Sequence, residues 1–138
     1  MMSAFVLGVD TNVLVRFLTR DDETQAEHAL RIITTPQNQP IRVSLVVLVE
    51  LVWVLTKVKR WPSKDVFEAC RGLLRSSDFF VEQGETVEEC LSDAQLAGCD
   101  LADALIGVMN ARAGCTTTVT FDREAQKLSY MTAAESFA

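Results

Sequence analysis

The residues of this chain that could do chemistry are acids placed where elements of structure should meet. Asp10 directly follows the apolar run Phe5 to Val9, and Asp122 lies just beyond the β-branched run Thr116 to Thr120. In parallel α/β sheets ligands gather outside the carboxyl ends of strands, so carboxylates at two such ends are candidates for one site. Each also has a plain structural use, because an acid near the start of the next helix satisfies free N–H groups and the helix dipole. Glu50 is harder to explain away. It is the sole charge between Leu45 and Thr56, among Val, Leu and Trp. A carboxylate buried there needs a cation, a metal or a proton, and a structural salt bridge with an arginine is the plain alternative. Asp100 and Asp103 stand three apart at a helix start, a spacing that also suits reciprocal capping.

What is missing narrows the chemistry. His28 is the sole histidine and sits in a polar stretch beside Glu27, so histidine acid–base catalysis has no second player. No GxSxG elbow or phosphate-binding P-loop occurs. Cys70, Cys90, Cys99 and Cys115 form no CxxC pair and have no histidine nearby, which argues against zinc. They are expected to be reduced, mostly buried, small apolar residues. Carboxylates alone suit hard, oxygen-seeking cations such as Mg²⁺ or Mn²⁺, which activate water and steady a transferring phosphoryl group. The net charge of −6 is unusual for an enzyme that grips phosphates. Bound cations would reverse the sign at an acidic site, and the remaining charge suits a basic protein partner.

Short strand-like runs alternate with helical segments, which predicts an α/β fold with a mainly parallel sheet. Phe5 to Val9 reads as a buried strand, the end of an apolar strip starting at Ala4. Thr11 or Asn12 then caps a helix to about Leu18, and Asp21 or Asp22 starts a second with Ala26, Ala29, Leu30 and Ile33 inward. Pro36 and Pro40 bracket a loop before a strand at Ile41 to Val43. Ser44 caps Leu45 to Thr56, whose apolar residues on all sides predict a buried helix. Lys57, Lys59 and Arg60 complement its C-terminal dipole. Pro62 and Ser63 open a helix to about Leu74, and Phe79 to Val81 is the third strand. Helices follow at Thr86 to Ala97, closed by Gly98, and from Asp100 to a stop at Gly114. A strand at Thr116 to Thr120, a short helix near Arg123 to Leu128 and a strand at Tyr130 to Thr132 complete the pattern.

A chain of 138 residues, 49% hydrophobic and 23% charged, fits one compact domain spanning 1–138. Ala4 to Val9 is too short for a signal peptide and lacks a basic leader. Val43 to Leu55, interrupted by Glu50, falls short of the roughly 20 apolar residues of a membrane helix. The expectation is a cytoplasmic protein with no membrane association.

The stretch from Asp10 through Thr11, Asn12, Val13, Leu14, Val15, Arg16 and Phe17 to Leu18 resembles the start of PIN-domain toxins of the VapC type. The helix with Glu50 is similar to their second acidic element. Asp100-Leu101-Ala102-Asp103-Ala104-Leu105-Ile106 is similar to the third, and Thr120-Phe121-Asp122 to the fourth, with Gly114-Cys115 at the small turn before that strand. The likeness runs along essentially the whole chain, in order. It implies a three-layer α/β/α sandwich and an Mg²⁺- or Mn²⁺-dependent endoribonuclease, held in check by a small cognate antitoxin. By motif position Asp10, Glu50, Asp103 and Asp122 become the catalytic, metal-binding quartet, with Asp100, Asn12 and Thr120 in support. Arg16, Lys57, Lys59 and Arg60 are candidates for guiding RNA.

Two rivals remain. A phosphatase-like enzyme would use Asp10 as nucleophile, but such enzymes usually need a second acid two residues on, where this chain has Asn12. A non-catalytic protein-binding module would leave the acids as unrelated caps. The apolar surround of the Glu50 helix, with Trp53, also predicts a homodimer, as does the resemblance.

Overall fold

The computed structural model describes residues 5–137, so Ala4 of the first apolar strip lies outside the described residues. The chain forms two compact units, one ending at Gly84 and the other beginning at Glu85. Every strand pairing among the described residues is parallel. None of their helices is long and apolar enough to cross a membrane.

The first unit is ordered by two helix starts. Asp10, not Thr11 or Asn12, caps α1 (Thr11–Thr19): its side chain accepts the Asn12 N–H at 3.0 Å. Asp22 does the same for α2 (Glu23–Thr34), accepting from Gln25 N at 3.0 Å, and α2 buries Ala26, Ala29 and Ile33. The Pro36 loop contains a short 3₁₀ turn, Pro36–Asn38. It leads to β1 (Ile41–Val43), which pairs with β2 (Phe79–Val81) in the register Ile41↔Phe79 to Val43↔Val81. Ile41, Val43, Phe79 and Val81 are buried, as the two-residue alternation of a strand requires. Between the strands run α3 (Leu45–Trp53) and α4 (Ser63–Arg75).

Two expectations fail here. The predicted strand Phe5 to Val9 is reduced to one bridge, Gly8 opposite Arg42, made by Arg42 N to Leu7 O at 3.0 Å and Val9 N to Arg42 O at 3.3 Å. A glycine gives a strand no side chain to pack, and the chain turns into α1 two residues later. Nor is the Glu50 helix buried. Ser44 caps α3 as expected, through Val47 N at 3.2 Å, but only Leu48 and Leu51 of α3 are enclosed. Val46 is 78% exposed and Trp53 57%. Apolar residues on all sides need neighbours on all sides, and α3 has them on one. The helix then widens into a π-turn, Val54–Val58, with Lys59 N bonded to Val54 O at 2.9 Å.

The second unit holds most of α5 (Gly84–Ala97), then α6 (Leu101–Arg112) and the parallel pair β3 (Thr118–Thr120) and β4 (Met131–Ala133). Gly98 and Gly114, which close the two helices, adopt φ of 73° and 101°. These are left-handed conformations that side-chain-bearing residues avoid. The short helix near Arg123 is a single 3₁₀ turn, Ala125–Lys127. Val87, Cys90, Leu91 and Ala94 of α5 and Leu101, Ala104 and Leu105 of α6 are buried. Gly107 of α6 faces Tyr130, whose hydroxyl donates to Asp93 at 3.1 Å.

Candidate active-site carboxylates

Two of the four principal acids belong to each unit. In the first, Asp10 is exposed at the head of α1, with one carboxylate oxygen occupied by Asn12 N–H. The Asn12 side chain lies exposed, over a shallow apolar hollow with Val13, Gln25 and His28. Glu50 is exposed on α3, which corrects the expectation that it is buried, and no ion pair holds it among the described residues. The arginine-bridge alternative therefore has no support. Its carboxylate accepts a hydrogen bond from the Thr11 hydroxyl instead. Sequence reasoning missed Thr11, because a threonine at a helix start looks like a cap and its partner lies 39 residues away.

The second unit carries Asp100, Asp103 and Asp122. Asp100 occupies the cap position of α6, yet its side chain makes no capping bond. Its carbonyl oxygen does that work, accepting from Asp103 N at 3.1 Å and Ala104 N at 3.4 Å. Of the reciprocal cap that the spacing allowed, only the Asp103 half is made, its carboxylate accepting from the Asp100 backbone. Asp122 is held at both ends: its N–H donates to Thr120 Oγ1 at 3.0 Å, and its carboxylate accepts from Ala125 N at 2.9 Å. Thr120 thus organises the turn that carries Asp122.

The charges that act on Asp103 are all negative. Burial first, and then the charges of Asp122 and Asp100, push the Asp103 carboxyl above the usual carboxylate range. The neighbouring Cys99 thiol is pushed up to about 11, by burial first and then by Asp103, Asp100 and Asp122. Carboxylate oxygens are the donors that hard divalent ions prefer. Among the described residues no three His, Cys, Asp or Glu side chains are gathered closely enough to hold one unaided.

The cations expected to guide RNA divide. Arg16 and Lys59 are committed to Asp21, Arg16 at 2.8 Å, whereas Lys57 and Arg60 are exposed. His28 is exposed, as expected. Cys70, Cys90 and Cys99 are buried and unpaired, and Cys115 departs from that pattern by being exposed.

No match to this chain is found among curated proteins. The model of the PIN domain, in general a metal-dependent nuclease fold of helices and parallel strands, matches residues 8–129 and so takes in every acid described above. With most of its length matched, this chain belongs to the PIN domain family.

Proposed function

We propose that this PIN-domain protein is an Mg²⁺- or Mn²⁺-dependent endoribonuclease, a single domain over residues 1–138, and the toxin of a toxin–antitoxin pair. Asp10, Glu50, Asp103 and Asp122 are its metal ligands, with Asp100, Asn12 and Thr120 in support. The observation that carries this reading is the state of Asp100 and Asp103. Among the described residues the Asp100 side chain caps no helix and neither acid pairs with a cation, and burial first, then the charges of Asp122 and Asp100, raise the Asp103 carboxyl. Carboxyls raised by burial and neighbouring charges cluster at functional sites.

The bound divalent ion supplies an activated water and positive charge beside the phosphoryl oxygens. The protein's contribution is to fix donors. Asp10 and Asp122 each have one oxygen held by a backbone N–H, and Glu50 has one held by Thr11, so each keeps a second oxygen for the ion. Lys57 and Arg60, exposed and unpaired among the described residues, are placed to attract the phosphate backbone. The test is incubation of purified, partner-free protein with mixed cellular RNA. Cleavage is expected with Mn²⁺, none with chelator, and none by Asp103→Asn under either condition. Cleavage that persists in chelator, or an active Asp103→Asn, overturns the reading.

Such an enzyme must be silenced until needed, and its own charge suggests how. A small basic-tailed antitoxin can place an Arg or Lys among the four acids, satisfying them in competition with the metal. The exposed face of α3, with Val46, Val49 and Trp53, supports a homodimer. An enzyme acting on cellular RNA would work in the cytoplasm, in keeping with the lack of a membrane-spanning helix among the described residues. Double substitution Asp10→Asn/Asp103→Asn is expected to weaken the antitoxin as well as cleavage. Undiminished antitoxin binding by that variant would move inhibition to another surface.

A further inference from the structure

Thr11 and Thr86 are the buried polar side chains among the described residues. Thr86 accepts a hydrogen bond from Arg112, a link between α5 and α6 inside the second unit. Thr11 has a different partner, Glu50 of α3, which is exposed and has no ion pair among the described residues. The helix end at Thr11 does not need this hydroxyl, because Asp10 already satisfies the Asn12 N–H. Threonine is also stiff: branching at Cβ limits χ1, so the backbone of α1 sets where its hydroxyl points. Glu50, by contrast, has a long side chain with several rotatable bonds, and Thr11 is the group that holds its carboxylate.

We propose that Thr11 is the positioning residue for Glu50. Its hydroxyl fixes one carboxylate oxygen, leaves the other for the divalent ion, and ties Glu50 to the residue that directly follows Asp10. The two acids of the first unit are thereby set relative to each other before any ion arrives. This rests on the reading of Glu50 as a metal ligand, and the experiment separates the two claims.

Mn²⁺ affinity is measured by calorimetry on the partner-free protein and on Thr11→Val, Thr11→Ser, Glu50→Gln and the double variant Thr11→Val/Glu50→Gln. Loss of an outer partner of a metal ligand weakens binding about 10- to 100-fold, and Thr11→Val is expected to fall in that range. Thr11→Ser, which keeps the hydroxyl, should restore affinity to within about threefold of wild type. Because Thr11 acts through Glu50, the double variant should bind no more weakly than Glu50→Gln alone. Melting temperatures of the metal-free proteins are recorded alongside, since a merely structural threonine would shift these and leave Mn²⁺ affinity unchanged. Should Thr11→Val fail to fold, Thr11→Ala removes the hydroxyl without the second branch. Thr11→Val binding Mn²⁺ like wild type, while Glu50→Gln does not, overturns the positioning role and spares the reading of Glu50. Glu50→Gln binding Mn²⁺ like wild type overturns both.

Discussion

Asp10 and Asp122 each commit one carboxylate oxygen to a backbone N–H, at 3.0 Å and 2.9 Å, and retain the other. Capping and ligation are therefore compatible in the same side chain. That is why the choice between structural and catalytic readings was undecidable from their positions in the sequence. For Glu50 the sequence argument rested on burial, and the structure corrects that, since this carboxylate is exposed rather than buried among apolar neighbours. The correction sharpens its prediction. With no ion pair to lose among the described residues, Glu50→Gln should change stability by less than about 0.5 kcal/mol, the usual range for surface substitutions. Cleavage should nevertheless fall by roughly 100-fold or more, as a first-sphere ligand matters at least as much as an outer one. Urea melts beside RNA cleavage assays check this, and a destabilised but fully active variant would remove Glu50 from the site. The thiols give a second residue-scale outcome. Burial pushes Cys70 up to about 12 and Cys90 to about 11, and Cys99 is similarly raised. The reactive species is the thiolate, so iodoacetamide should label exposed Cys115 in the native protein and the other three only after unfolding. Mass spectrometry that found a second thiol labelled at the rate of Cys115 would contradict that burial pattern.

Elements whose signals are local were legible. Phe79 to Val81 is a strand to the residue, Ser44 and Asp22 cap the helices they were expected to cap, and Gly98 and Gly114 adopt the positive φ that stops a helix. Elements decided by distant partners were not. Gly8 leaves the first strand a single bridge, α3 lacks cover on one side, and the Thr11–Glu50 bond joins separate helices. Asp21 belongs to this second class. It gathers Lys59 from beyond the π-turn, the Thr19 hydroxyl at 3.0 Å and Arg16 from α1 at 2.8 Å. Lys59 foremost, then Thr19 and Arg16, lower its carboxyl from 3.8 to about 2. The folded protein thus binds this proton less readily than the unfolded chain. The resulting stabilisation is complete above the unfolded value and disappears as pH falls through about 2. Asp21→Asn should therefore lower the urea midpoint at pH 6, with the gap from wild type closing between about pH 4 and pH 2. A gap independent of pH would show that the network acts through packing rather than charge. In the second unit Gly107 poses a packing test. A Cβ there would run into the Tyr130 ring, which is tethered to Asp93. Helix propensity favours alanine over glycine by about 1 kcal/mol, whereas overpacking costs about 1–3 kcal/mol. The clash should win, so Gly107→Ala is expected to destabilise, and a raised melting temperature would show that Tyr130 yields.

At the scale of the molecule, an excess of negative charge and an uncovered apolar helix face make opposite demands on salt. The chain carries −6, so two copies repel while an antitoxin with a basic tail is attracted. Salt screens both effects over roughly 10 Å at 0.1 M. The proposed homodimer joins copies through α3, where Val46 is 78% and Trp53 57% exposed, with Leu45 and Val49 beside them. Closed two-fold symmetry would place each α3 against its own copy, on a surface that is apolar apart from Glu50. Its stability comes from apolar burial, which salt does not weaken, while the repulsion opposing it fades as ionic strength rises. Light scattering at micromolar concentration should give about twice the 15.3 kDa of one chain, and the dimer should tighten from low to moderate salt. Val46→Gln/Trp53→Gln, which adds no charge beside Glu50, should yield monomers that keep the Thr11–Glu50 pair and still bind Mn²⁺. The proposed antitoxin should respond in reverse, losing affinity over the same salt range and again when Mn²⁺ is added, because its cation would compete for the same oxygens. A wild-type monomer at micromolar concentration would reassign the α3 face to a different partner. A dimer that loosened with added salt would mean that charge pairs, and not Val46 and Trp53, hold it together.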